Sequence, residues 1–195
     1  MDISAQLVKQ LRDMTGAGMM DCREALAETG GDLNKAVEEL RKASAKIALK
    51  KQDRTTSEGL VEAYIHPSAK LGVMVKVVCE TDFVARNPEF QALAHDIALQ
   101  IAAMNPQYLK PEDVPAAVIA KEKEIYREQL SGEGKPAAVQ EKIIECKLQK
   151  FYSEVCLYRQ ASIKDDKMTV EDMIVQTIAK IGENIKVTAF TRYTL

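Results

Sequence analysis

The sequence predicts an α+β fold, a compact three-helix bundle followed by a small antiparallel sheet packed with helices. Three observations predict it. Apolar residues recur at helical spacing from Ile3 to Leu40, the period changes to two from Gly59, and helical spacing returns after Pro88 until a final alternating strand begins at Ile185.

The elements follow in order. Ile3, Leu7, Leu11 and Met14 fall on one helical stripe, and Thr15-Gly16-Ala17-Gly18 breaks it. A second helix is predicted from about Met19 to Glu28, stopping at Gly30-Gly31, where glycine can take the left-handed C-terminal position. Asp32 is a suitable N-cap for a third helix carrying Leu33, Ala36, Val37 and Leu40. Three helices in so short a stretch share a very small core, and such a bundle is expected to bind something. The polar run Lys50-Lys51-Gln52-Asp53-Arg54-Thr55-Thr56-Ser57 lacks periodicity and reads as a solvated linker. The predicted domains are therefore 1–54, the three-helix bundle, and 55–195, the α+β core.

In the second domain, residues 60–66 and 71–79 are rich in Val, Ile, Leu and Tyr and flank Pro67-Ser68-Ala69-Lys70, which predicts a hairpin. After Asn87-Pro88 a helix carries Phe90, Leu93, Ile97, Ile101 and Met104 and ends at Asn105-Pro106. Two further helices are predicted, about Pro115–Leu130 and Pro136–Tyr158, broken at Ser131-Gly132-Glu133-Gly134. The latter carries Ile144, Leu148, Phe151, Val155 and Tyr158 at heptad-like steps, over too few heptads for a coiled coil. A last helix with Val170, Met173, Ile174, Ile178 and Ile181 closes at Gly182, and the strand Ile185–Phe190 follows.

Composition narrows the function. The chain has 195 residues, 46% apolar and 29% charged, as in ordinary globular proteins. Lys plus Arg number 27 against 29 Asp plus Glu, whereas a nucleic-acid binder normally carries a basic surplus. Cys22, Cys79, Cys146 and Cys156 form no CxxC pair and no zinc-ligand spacing, so reduced thiols in a reducing compartment are expected. With no apolar signal core at the N-terminus and no apolar run of membrane-spanning length, a cytoplasmic location is expected.

Enzymatic signatures are sparse. The histidines are His66 and His95, and no GxSxG, HExxH, P-loop or GxGxxG occurs. A thiol enzyme pairing Cys79 with His66 stays open, because nucleophile and base meet in space rather than in sequence. No catalysis, cofactor or metal site is expected. The segment Thr81-Asp82-Phe83-Val84-Ala85-Arg86-Asn87 stands between a strand and a helix. Thr81 or Asp82 can cap that helix with Phe83 as a staple against it, or the segment can be a recognition loop held by rigid elements.

Three motifs carry a family resemblance. Leu7-Val8-Lys9 through Leu11-Arg12 to Thr15-Gly16-Ala17-Gly18-Met19-Met20-Asp21-Cys22, then Cys79-Glu80-Thr81-Asp82-Phe83-Val84-Ala85-Arg86-Asn87, then Ile178-Ala179-Lys180-Ile181-Gly182-Glu183-Asn184-Ile185 resemble, in the right order, the signatures of the elongation factor Ts family. The resemblance covers nearly the whole chain. It implies a ubiquitin-associated-like shape for the first domain and guanine-nucleotide exchange on elongation factor Tu. It further implies that Thr81, Asp82, Phe83 and Val84 enter the nucleotide domain of elongation factor Tu and help dislodge its Mg²⁺, with Phe83 as wedge and Asp82 as disruptor. Leu11, Arg12, Met19 and Met20 become docking contacts of the N-terminal bundle, although Leu11 and Met19 also suit the bundle's own core, and His66 matches a further contact position. Longer family members have two core units plus a further helical hairpin; this chain has room for one. An adaptor that uses a ubiquitin-associated-like bundle on another partner is the competing binding function, and it leaves Thr81–Val84 unexplained.

The predicted sheet also bears on assembly. Val73, Val75 and Val77 alternate with Met74, Lys76 and Val78, so both faces look apolar and need covers. Helices of the same chain can cover one face and a second copy the other, as a sandwich. A twofold homodimer binding two molecules of elongation factor Tu is expected, as the resemblance to short family members also implies, with a charge at Val75 expected to split it.

Overall fold

The computed structural model describes residues 3–131 and 136–195. Gly132, Glu133 and Gly134 of the predicted helix break lie outside the described residues. In order, the elements are α1 (Ala5–Thr15), α2 (Met19–Glu28), α3 (Leu33–Lys51), β1 (Glu58–Ile65), β2 (Leu71–Cys79), α4 (Asp82–Ala85), α5 (Pro88–Met104), α6 (Ala116–Leu130), α7 (Ala137–Val155), α8 (Val170–Ile181) and β3 (Lys186–Thr194). The strands pair in the order β1-β2-β3. The predicted α+β class is what the chain adopts.

Two compact units make up the chain. One comprises Met1–Leu60, Val77–Leu93 and Asp172–Lys186; the other comprises Val61–Lys76, Ala94–Glu171 and Val187–Leu195. In the first, α1, α2 and α3 bury Val8, Leu11, Cys22, Ala25, Leu26, Ala36 and Leu40 against one another. Ser4 caps α1 by accepting from the Leu7 amide, and Asp32 caps α3 by accepting from the Asn34 and Lys35 amides, each satisfying donors that a helix start leaves unpaired. Met14, on the predicted stripe of α1, is exposed, because the buried line ends at Leu11.

Helix α3 runs farther than the sequence suggests. Lys50 and Lys51, assigned to the linker, form its last turn, where cations favour the negative end of the helix dipole. The Lys51 ammonium also donates to the carbonyl oxygen of Gly182, the residue that ends α8 with φ at 89°. Glycine reaches that left-handed conformation without a Cβ penalty.

In the second unit, α6 and α7 form a helical hairpin. Helix α7 stops at Val155 rather than Tyr158, because Cys156 turns extended and Leu157 donates to the Tyr108 carbonyl at 2.9 Å instead of continuing the helical ladder. Tyr158 enters a short 3₁₀ turn, and its buried hydroxyl accepts from the Val187 amide at 3.0 Å. Two buried glutamines knit the surrounding segments. Gln100 donates to Gln160 (3.3 Å) and to the Ala161 carbonyl (3.0 Å) and accepts from the Ile163 amide (2.9 Å), while Gln160 donates to the Glu154 carbonyl (2.9 Å).

The strands alternate as their period demands. Val73, Val75 and Val77 of β2 are buried; Met74 and Lys76, on the opposite face, are exposed, as are Val61, Ala63 and Ile65 of β1. The Val73–Val75–Val77 face is thus covered within the chain, and the open apolar face belongs to Val61, Ile65 and Met74. On that second face Lys76 is exposed between Met74 and the buried Val78.

One backbone crossing secures the end of β2. Gly59 has φ at 145°, and a Cβ there would overlap the Val77 carbonyl oxygen and lie 2.7 Å from the Val78 Cα. Both obstacles are backbone and cannot rotate away. Gly59→Ala is expected to destabilise the protein by about 1–3 kcal/mol, the usual cost of overpacking. Urea unfolding of the two proteins measures this directly; equal midpoints and slopes would show that β1 has room there.

Candidate functional site

The site grows from the end of β2. Cys79, the last residue of the strand, is fully buried, and its thiol donates to the Thr81 carbonyl at 3.1 Å. Burial pushes that thiol up to about 11, with the negative charges of Glu183 and Glu58 adding to the effect. Burial likewise raises Cys22, and raises Cys156 to about 11. These three thiols are protonated at neutral pH and make poor nucleophiles. His66, at the hairpin turn, engages Ser68 through Nδ1, with Ser68 Oγ at 2.8 Å and its amide at 3.3 Å. Neither Cys79 nor His66 is poised as half of a nucleophile–base pair. Among the described residues, no group of three or more His, Cys, Asp or Glu side chains is placed to hold a metal ion.

Beyond Cys79 the chain does not remain a loop. Asp82–Ala85 wind into the single turn α4, and Thr81, extended at φ −127° and ψ 158°, is its N-cap. The Thr81 hydroxyl accepts from the Val84 amide at 3.4 Å and donates its own hydrogen to Glu183 Oε1 at 2.8 Å. The reading that Thr81 or Asp82 caps the helix after Pro88 needs correction, because Thr81 caps the separate turn α4 and Asn87 stands at the start of α5. The staple is not formed. Phe83 is 81% exposed and packs on no core.

Asp82 lies in the first turn of α4, where a carboxylate suits the helix dipole. Arg86 donates to it at 3.0 Å across one turn, and Arg86 itself is mostly exposed. An exposed ion pair of this kind contributes roughly 0–1 kcal/mol, so a partner can take over the carboxylate at small cost. Val84 is half-buried on the inner side of the turn. Asn87 then accepts from the Glu89 amide at 2.8 Å, opening α5.

Two carboxylates fasten this turn to the segment that follows α8. Glu183 Oε2 accepts from the backbone amides of Glu80 (3.2 Å) and Thr81 (3.0 Å). In return, Glu80 Oε1 accepts from the Asn184 amide at 2.7 Å and lies 3.5 Å from the Arg54 guanidinium. The buried Asn184 side chain donates to the carbonyls of Gln52 (3.2 Å) and Arg54 (3.0 Å), just past the end of α3. The sequence motifs around Thr81 and around Gly182 thus meet in space. Glu80, Glu183 and Asn184 lie within those motifs, and their role is not legible from sequence, because their pairing joins residues about a hundred positions apart and leaves no periodic signal.

The N-terminal candidates divide. Leu11 is 0% exposed and belongs to the bundle core, whereas Arg12, Met19 and Met20 are exposed. Met14 is exposed as well, and flexible methionines suit adaptable contacts. His66 belongs to the other unit.

A family model described as Elongation factor TS matches residues 3–195. Similar proteins include Elongation factor Ts of Thermosipho melanesiensis, 58% identical over 193 residues, spanning 99% of this chain and 98% of the relative. That of Pseudothermotoga lettingae is 57% identical over 192 residues, with 98% and 97% covered. That of Coprothermobacter proteolyticus is 56% identical over 195 residues, with 100% and 99% covered. The chain belongs to the elongation factor Ts family. Its place is in protein biosynthesis, at the elongation stage of translation.

Exposure of Phe83 has a thermodynamic consequence. A core Phe→Ala substitution costs about 3–5 kcal/mol, whereas a surface substitution usually stays within about 0.5 kcal/mol. Phe83→Ala is expected to melt with the parent protein by calorimetry, and a large drop in melting temperature would return the ring to a core role.

Proposed function

We propose that this protein promotes guanine-nucleotide release from elongation factor Tu, so that a new nucleotide can bind, and that it makes and breaks no covalent bond in doing so. The observation that carries this reading is Phe83, a bare aromatic ring on a one-turn helix whose cap is tied down on both sides. Burying a ring of this size in a partner contributes about 1.5–3 kcal/mol, enough to pry packed elements apart by a small distance. Mg²⁺ at a nucleotide site demands near-ideal octahedral oxygen geometry, so a small displacement of its ligands weakens both ion and nucleotide. Phe83 acts as the wedge. Asp82 disturbs the water shell of the ion, while Thr81 and Val84 fix the turn.

The helices of residues 1–54 act as the ubiquitin-associated-like docking domain, with residues 55–195 as the α+β core. Arg12, Met19 and Met20 supply the docking surface, with Leu11 supporting it from beneath, and His66 makes a further contact. With elongation factor Tu as partner the protein works in the cytoplasm, without a cofactor and without contacting nucleic acid or membrane.

Fluorescent GDP released from elongation factor Tu tests the function. Substoichiometric protein is expected to accelerate release and to hydrolyse nothing. Phe83→Ala is expected to slow the maximal rate about 10- to 100-fold, as the loss of that burial translates into rate. An unchanged rate for the variant would refute the wedge, and no acceleration by the parent protein would refute the function.

The same reading includes a twofold homodimer through the open face of Val61, Ile65 and Met74, binding two molecules of elongation factor Tu. The exposure of these residues beside one another on neighbouring strands supports it. Val75 is buried on the covered face, so a charge there would test folding rather than assembly. Met74→Glu is the suitable variant. Light scattering is expected to give twice 21.7 kDa for the parent and 21.7 kDa for Met74→Glu, and a parent mass of 21.7 kDa at micromolar concentration would reject the dimer.

A further inference from the structure

We infer that Glu183 is a positioning residue for nucleotide release, one that acts on the partner only through Thr81 and α4; this rests on the function proposed above. The inference starts from donor and acceptor inventory. A threonine hydroxyl has one hydrogen to give and two lone pairs, and a carboxylate has lone pairs only. At 2.8 Å from Glu183 Oε1, Thr81 Oγ1 spends its hydrogen on the carboxylate and must turn a lone pair toward the Val84 amide. The carboxylate therefore sets the polarity of the cap as well as its place. Its other oxygen collects the Glu80 and Thr81 amides at 3.2 and 3.0 Å, and these charge-assisted bonds fix the backbone from which α4 starts. A four-residue helix cannot hold itself, since a first turn is unfavourable without outside support.

Glu183 is itself held. Gly182 before it receives the Lys51 ammonium on its carbonyl, and the Asn184 side chain after it donates to the Gln52 and Arg54 carbonyls. Glu80 closes the loop by accepting from the Asn184 amide at 2.7 Å. Each segment thus lends the other a carboxylate and receives backbone donors in return. Docking surfaces at Arg12, Met19 and Met20 lie outside this network, so losing Glu183 should loosen the wedge without removing the docking contacts.

Three variants separate positioning from general stability. Glu183→Ala deletes all three bonds. Glu183→Gln can keep the backbone bonds only by turning its amide group onto Thr81 Oγ1, which then loses its acceptor. Thr81→Val keeps shape but removes the hydroxyl. With the parent protein and elongation factor Tu loaded with fluorescent GDP, the maximal release rate of Glu183→Ala is expected to fall about 10- to 100-fold, the cost of a misplaced group. The half-saturating concentration should change less than about threefold, because docking is intact. Glu183→Gln should recover part of the rate, and Thr81→Val should add little to Glu183→Ala in the double variant, because the two act as one unit. Hydrogen exchange at the Thr81 and Val84 amides, read without any partner, should accelerate in Glu183→Ala while the α2 and α5 amides stay protected. A parent-like maximal rate in Glu183→Ala, or a proportional loss of rate, affinity and protection throughout the chain, would overturn the assignment. If the parent protein itself releases no nucleotide, the proposed function falls first, and the amide data then show whether the clamp exists apart from it.

Discussion

A carboxylate offers lone pairs and no hydrogen, and the presentation of α4 follows from where Glu183 puts them. Three donors converge on its two oxygens, from the Glu80 and Thr81 amides and the Thr81 hydroxyl. With the hydroxyl hydrogen committed, Thr81 becomes an acceptor for the Val84 amide, and the chain beyond has little choice but to turn. Phe83 then leaves the protein, where its ring is exposed to water. An exposed phenyl adds little to the stability of the free protein, which under the proposed function leaves the ring for the partner.

Holding such a ring in advance has an energetic logic. Ordering a flexible segment during binding consumes part of the interaction energy, whereas a turn already fixed by hydrogen bonds leaves that energy for deforming the partner. The surrounding framework holds the turn from several sides. Gly59 lets β1 pass against the Val77 carbonyl, Cys79 is sealed in the core, and Asn184 ties the segment after α8 to the end of α3. In the proposed function the protein contributes no reacting group. Its buried thiols are held protonated, and its effect on a partner would come from geometry and burial alone.

Most elements were legible because periodicity and caps report local physics. The stripe Ile3–Leu7–Leu11–Met14, the Asp32 cap and the Asn105-Pro106 stop each act within a few residues, and the structure contains the helices they announce. Element ends were less legible where a distant partner decides them: Lys51 extends α3 toward Gly182, and Tyr108 draws Cys156 out of α7. The Thr81–Val84 segment stands out in sequence as ambiguous between cap and recognition; the structure has Thr81 capping a one-turn helix the sequence does not announce, with Phe83 left exposed. Glu183 and the glutamine pair Gln100–Gln160 could not be read from sequence at all, since single long-range hydrogen bonds have no spacing to betray them.

If the central claim is right, nucleotide and this protein compete for elongation factor Tu through one coupling free energy, which must be the same from either side. Calorimetric titration can measure it both ways: GDP binding to elongation factor Tu with and without this protein, and binding of this protein to elongation factor Tu with and without GDP. The account predicts that each ligand weakens the other by one common factor, and that this factor shrinks in Phe83→Ala. Affinities for this protein that are equal with and without GDP would contradict it.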